Sequence, residues 1–146
     1  MKRVIILRGI PGSGKSTYGQ KMFPTAQTVS ADQFMIDADG QYKFDPEKIR
    51  ACHKQCFAKF IGLVTSDVEL IVVDNTNIYP HEIAPYYAFA ELFGYEIEIH
   101  TLVADFEIAF KRNLHGAPEA TAKRMAACLM GNINFMPLWW KSVIIR

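Results

Sequence analysis

The sequence predicts an α/β fold in which a mainly parallel sheet of four or five strands lies between layers of helix, and three observations carry that prediction. Val4-Ile5-Ile6-Leu7 and Leu70-Ile71-Val72-Val73 are apolar runs without alternation, as expected of strands buried on both faces. Segments with helical spacing stand between such runs in regular order, the pattern of strand–helix–strand units. A glycine-rich turn, Gly9 to Ser16, joins the first strand to the first helix. At 146 residues, a single domain spanning 1–146 is expected.

Each element has its own signal. After the turn, Lys15 to about Met22 reads as a helix, with Pro24 just beyond it as a stop. Gln27-Thr28-Val29-Ser30 is a short strand that delivers Ala31-Asp32 at its carboxyl end. Asp39-Gly40 marks a loop or small hairpin; its paired aspartates do not make a calcium loop, because Lys48 stands where a glutamate is needed. Pro46 opens a long amphipathic helix to about Thr65, with Ile49, Cys52, Cys56, Phe57, Phe60, Ile61 and Val64 on one face. Cys52-His53-x-x-Cys56 lies on this helix and, with no second ligand pair, reads as core or helix surface rather than a metal site. Glu69 to Asp74 is a third strand, and Pro80 to Phe93 a helix stopped by Gly94. Tyr95 to Leu102 alternates Tyr95, Ile97 and Ile99 with Glu96, Glu98 and His100, as in a strand nearer a sheet edge. Glu107 to Asn113 is a short helix, 114–118 a break, and Glu119 to Met130 a helix ending at Gly131. The remainder carries Trp139-Trp140 and Val143-Ile144-Ile145, a terminal strand or a packed tail.

Composition narrows the class. Half the residues are hydrophobic and 21% are charged, which excludes a disordered chain. No apolar run reaches the roughly 20 residues that a bilayer span needs, and the start of the chain is too short in apolar residues for a signal peptide. A cytoplasmic protein with no membrane partner is expected. Three cysteines, Cys52, Cys56 and Cys128, argue against a disulfide framework. The net charge of +1 hides an asymmetry: residues 1–107 carry ten Lys/Arg and fourteen Asp/Glu, while 108–146 carry six Lys/Arg and Glu119 alone. A basic last quarter suits a polyanionic partner or a solvated helix face.

Gly9, Gly14, Lys15 and Ser16 fit G-x-x-x-x-G-K-[ST], the phosphate-binding P-loop. Glycines let successive backbone N–H groups turn inward toward phosphate oxygens, and the helix that follows offers its N-terminus to the same charge. Gly9 and Pro11-Gly12-Ser13-Gly14-Lys15-Ser16-Thr17 are therefore the candidate nucleotide-binding residues, with Lys15 on the β- and γ-phosphates and Ser16 on Mg²⁺. In open parallel sheets ligands bind beyond the carboxyl ends of the strands, so the loop, Asp32 and Asp74 to Asn77 should gather at one edge. Asp74, ending a buried strand beside the loop, is the candidate second Mg²⁺ ligand, a turn or cap aspartate being the alternative. Asp32 is the candidate for orienting a nucleophile and taking its proton, the alternative being a cap of a short helix at 32–35.

Ile10-Pro11-Gly12-Ser13-Gly14-Lys15-Ser16-Thr17, Ser30-Ala31-Asp32, Val73-Asp74-Asn75-Thr76-Asn77 and Lys111-Arg112-Asn113-Leu114-His115-Gly116 together resemble, in order, the motifs of the P-loop polynucleotide 5′-hydroxyl kinases. The resemblance covers about residues 3 to 125. It includes the polynucleotide-kinase-like domain of animal ubiquitin-ligase-binding proteins and, more distantly, the phage kinases. It implies a kinase-type three-layer P-loop sandwich with a small helical lid at about 112–124, ATP and Mg²⁺, and nucleic acid, DNA or RNA, as acceptor. It also implies Asp32 as general base, Lys15, Arg112 and His115 around the transferring phosphate, Arg112 on the nucleotide, and Phe34, Met35, Asn75, Thr76 and Asn77 with Asp32 on the acceptor side.

Two positions depart from the phage pattern. His115 stands where those enzymes carry a lid arginine, which calls for another cation, such as Arg8, Lys123 or Arg124, or for slow turnover. Met35 stands where an arginine grips the acceptor's phosphate. The first reading is thus a 5′-OH end kinase. A kinase of hydroxymethylated pyrimidines in DNA, with Met35 and Phe34 beside the base, is the second. A small-molecule or nucleoside kinase and a non-catalytic nucleotide-binding module are the others. A GTPase is disfavoured, since no Asn-Lys-x-Asp guanine signature occurs. Oligomeric state is not set by the sequence.

Overall fold

β1 (Arg3–Arg8) is the spine of the molecule: its residues 4 to 8 are all buried, Val4 and Ile6 toward one layer of core and Ile5 and Leu7 toward the other. The computed structural model describes every residue except Leu114, His115 and Ala117. β1 is flanked by β3 (Leu70–Asp74) and β4 (Glu96–Leu102); β2 (Gln27–Val29) lies outside β3, and β5 (Ser142–Ile145) outside β4. All five strands run parallel, in the order β2-β3-β1-β4-β5.

One face of the sheet is covered by α2 (Ile49–Thr65) and α3 (Pro80–Leu92), the other by α1 (Lys15–Met22). Along α2, Cys52, Cys56, Phe60 and Val64 are buried four residues apart, and Phe60 packs edge-on against Tyr86 of α3 with centroids 4.9 Å apart. The apolar stripe read from the sequence is therefore the contact face, and it separates the Cys-His-Cys group: both cysteines enter the core while His53 is exposed. A smaller cluster at the carboxyl edge joins Ile10 and Ile78 to Ala109 of α4 (Phe106–Lys111) and Leu129 of α5 (Glu119–Asn132). Among the described residues no helix is long and apolar enough to cross a membrane.

Three elements are decided by tertiary contacts rather than by local pattern. Val143-Ile144-Ile145 forms the edge strand, paired with His100 to Leu102, so the tail is a strand and β4 lies one place inside the edge. The alternation of β4 does not mark a solvated face. His100 is buried beneath Tyr18 and Phe23, and Glu98 is held by Arg3 and Lys141, both at 2.9 Å. The short helix after β2 is a 3₁₀ turn over Ala31–Phe34 whose cap is Ser30, not Asp32: Ser30 Oγ accepts from Asp32 N.

Candidate active site

Every element of the candidate site lies at the carboxyl edge of the sheet, as parallel topology requires. Gly12 and Gly14 hold the loop open with φ of 82° and 93°, a region that disfavours side chains. At Gly12 a Cβ would also stand 1.9 Å from the carbonyl oxygen of Ala109, so only glycine lets the loop lie against α4. Gly14 caps α1, which directs the first N–H groups of that helix into the cradle. Gly9 N donates to Thr76 O at 3.0 Å, tying the loop to the turn after β3.

Ser16 Oγ donates to Asp74 Oδ2 at 2.6 Å. Two hard oxygen donors that already face one another fit a magnesium ion, which takes oxygen ligands and keeps part of its water shell. Lys15 Nζ donates to Ile10 O at 3.4 Å, curled back over its own loop. Burial pushes the Lys15 ammonium below its ordinary range, with Asp74 and Asp32 pulling it back up, so both carboxylates are near enough to feel the lysine.

Asp32 is placed by its neighbours. Asn75 Oδ1 accepts from Ala31 N at 2.8 Å, and Ser30 Oγ accepts from Asp32 N at 3.2 Å. The Asn-x-Asn stretch after β3 is thus a splice between strand tips. Asn77, itself at φ 49°, donates to Leu7 O at 2.8 Å. Asn75 and Thr76 reach the cavity, whereas Asn77 is buried with its amide committed to β1.

The cavity has a volume of about 590 Å³, within the range of small-ligand sites. Pro11, Gly12, Gly14 to Thr17, Asp74 and Arg112, all expected at a nucleotide site, line it. Past Asp32 the wall becomes apolar, with Met35, Tyr42, Phe44, Ile49 and Cys52, and His53 beside them. Phe34 packs against the α2/α3 core instead. Ser13 and Gly9 underlie the loop without lining the cavity. His115 lies outside the described residues, as does part of the expected lid, 112–124.

Sequence reasoning missed Tyr42, Phe44, Ile49, Cys52 and His53. A signal was present in Tyr42-x-Phe44, two aromatics at strand spacing just after an Asp-Gly turn, which places both on one side of the returning strand. Arg8 was the opposite case. It is buried, donating from Nε to Asn77 O at 3.0 Å and from Nη2 to Ile78 O at 2.8 Å and to Asn132 Oδ1, so it supplies no charge to a bound phosphate.

The family described as "AAA domain" matches residues 4–127. The chain belongs to this AAA-domain family. Among curated relatives, human NEDD4-binding protein 2 is 28% identical over 130 residues, covering 84% of this chain and 7% of that protein. Rat 2′,3′-cyclic-nucleotide 3′-phosphodiesterase is 29% identical over 100 residues, 66% of this chain and 23% of that protein. The chain thus spans a small part of the curated relatives it matches. Of solved structures, a chain of the Pnkp1/Rnl/Hen1 RNA repair complex superposes with a TM-score of 0.73 at 19% identity, covering 93% of this chain and 46% of the other. The fold is that of the kinase-type P-loop proteins.

Proposed function

We propose that the chain is a cytoplasmic, ATP-dependent phosphotransferase that moves a γ-phosphate to a hydroxyl on nucleic acid, most simply a polynucleotide 5′-OH end. The observation that carries this reading is the opening of the P-loop, the Ser16–Asp74 pair and Asp32 into one cavity. A phosphate-binding loop with a metal-binding carboxylate fits any nucleotide-binding module; a second carboxylate in the same cavity, Asp32 after β2, fits transfer to a hydroxyl.

In this reading the loop N–H groups and Lys15 hold the β- and γ-phosphates. Ser16 and Asp74 hold Mg²⁺, which neutralises charge that builds on the phosphate oxygens. Asp32 accepts the proton of the acceptor hydroxyl as its oxygen bonds to the γ-phosphorus and the bond to the β-phosphate oxygen breaks, leaving ADP. Arg112, on the cavity wall, contributes charge to the transferring phosphate, and the same role is proposed for His115, which lies outside the described residues. Asn75 and Ser30 act on the reaction through Asp32.

The fold likeness to a chain of an RNA repair complex and the basic last quarter support a nucleic-acid acceptor. A specific observation favours the second acceptor, a hydroxymethylated pyrimidine within DNA: Met35 lines the cavity where a phosphate-gripping cation would stand.

The test is transfer of label from γ-labelled ATP, with Mg²⁺, to 5′-OH DNA, 5′-OH RNA and hydroxymethyl-base duplexes, with the product mapped. Label on nucleic acid is expected. Asp32→Asn should lower transfer by about 10²–10⁴-fold with ATP affinity retained. Label found only on metabolites, or transfer unaffected in Asp32→Asn, would overturn the reading.

A further inference from the structure

Beyond Asp32 the cavity changes character abruptly. The Lys and Arg side chains in its lining are Lys15 and Arg112, while Met35, Tyr42, Phe44, Ile49 and Cys52, with His53 beside them, form an apolar wall. A phosphate pushed against that wall would meet no ammonium or guanidinium among its described residues, and a stripped phosphate without one is costly. With His53 on the wall and Lys48 held outside it on Ile36 O at 3.3 Å, that side of the cavity suits a flat, largely apolar group better than a phosphate.

The rings on that wall are partly open to solvent, unlike those of the core. Tyr42 and Phe44 are 36% and 37% exposed, whereas Phe60 in the core is fully buried. They are not left open by slack backbone. Tyr42 pairs across the small hairpin with Ile36. Asp37 N donates to Gln41 O at 2.8 Å and Lys43 N to Met35 O at 3.1 Å. Asp37 Oδ1 accepts from the N–H groups of Asp39 and Gln41 at the turn. Two partly exposed aromatics are therefore presented on a braced hairpin beside the candidate base. Burial, with Asp32 and Cys52 adding to it, pushes the Tyr42 phenol up to about 12, so the ring stays neutral at physiological pH.

We infer that the hairpin carrying Tyr42 and Phe44 is a seat for one unpaired nucleobase, which stacks on these rings over Met35 and Cys52 and so brings a hydroxyl of its own nucleotide to Asp32. The inference rests on the nucleic-acid reading above and adds how the acceptor is held: by stacking on the base, with the backbone phosphates kept outside. A cavity of about 590 Å³ that also receives a triphosphate admits no base pair, so the base leaves its stack to enter. Tyr42 and Phe44 are then the specificity-determining residues on the acceptor side.

The experiment is a binding measurement that needs no turnover. Fluorescence anisotropy is read for a labelled single-stranded hexanucleotide, and for the same backbone with every base removed, on the protein saturated with a non-hydrolysable ATP analogue. The base-bearing strand should bind about tenfold or more tightly, the range of base–aromatic stacking. In Tyr42→Ala/Phe44→Ala that advantage should vanish, with affinity for the baseless strand and for the ATP analogue unchanged, and Tyr42→Phe should retain it. Trp139→Ala serves as a control and should leave the advantage intact. Equal binding of the two strands to the unaltered protein overturns the seat, as does an advantage that survives the double variant or disappears with Trp139. Failure to bind either strand overturns the nucleic-acid reading itself, and the seat with it.

Discussion

A guanidinium shut away from water has to be solvated by protein, and Arg8 is solvated almost entirely by carbonyl oxygens. It is fully buried at the end of β1. Its donors are spent on Asn77 O, Ile78 O, Asn132 Oδ1 and, at 3.5 Å, Ile133 O. Burial pulls its pKa down to about 10, with Glu82 opposing. Replacing it by Met, of similar reach, removes the charge but strands the carbonyls of Asn77 and Ile78. A loss of about 3 kcal/mol is expected, read as a lower urea midpoint with an unchanged slope. The residues of the phosphate loop were legible in the sequence because their spacing encodes backbone geometry. Arg8 was not, because a strand end can aim its side chain into the site or away from it, and only the neighbouring strands decide.

At the scale of elements, β4 makes the clearest prediction. His100 is buried with Tyr18 Oη 2.7 Å from its Nδ1, and Glu98, Arg3 and Lys141 are its charged neighbours. Burial lowers its pKa below 6.5, with Arg3 and Lys141 lowering it further and Glu98 opposing. The unfolded chain then binds a proton that the folded chain refuses, so stability falls as pH drops from 6.5 toward the lower folded value. Glu98 is itself held below its ordinary 4.5 by Lys141 and Arg3, and its contribution is lost only in more acid solution. Urea unfolding between pH 7.5 and 5 should show a decline that His100→Gln abolishes; an equal decline in the variant would remove His100 as its source. Helices and buried strands were legible here because caps, prolines and 3.6-residue spacing are local signals. The cover over the polar face of β4 was not, since Tyr18 and Phe23 come from an element far away in sequence.

For the whole molecule, the parallel sheet explains why distant segments share a site, and this much of the topology was legible from strand–helix alternation. The strand order was not. It depends on which strands pair, and apolar runs such as β1 and β3 are interchangeable by composition. The basic last quarter is likewise resolved only in three dimensions. Lys123 pairs with Glu119 at 3.3 Å and Lys141 with Glu98 at 2.9 Å, whereas Lys111 and Arg124 are exposed and suited to a polyanion. For single-stranded nucleic acid, the plot of log affinity against log salt should have a slope of about −0.7 per neutralised phosphate. Lys111→Gln/Arg124→Gln should flatten it by about 1.4 if each meets one phosphate. An unchanged slope would place the contacts elsewhere.

The carbonyl cage around Arg8 has a consequence for biosynthesis. Two of its four walls come from residues 132 and 133, so a growing chain that has emerged from the ribosome only through β4 holds its central strand with an arginine that nothing yet shelters. The nascent sheet should therefore stay open to proteases until α5 is complete, and a stop codon shortly before Asn132 should yield a polypeptide that is degraded rather than a smaller folded domain.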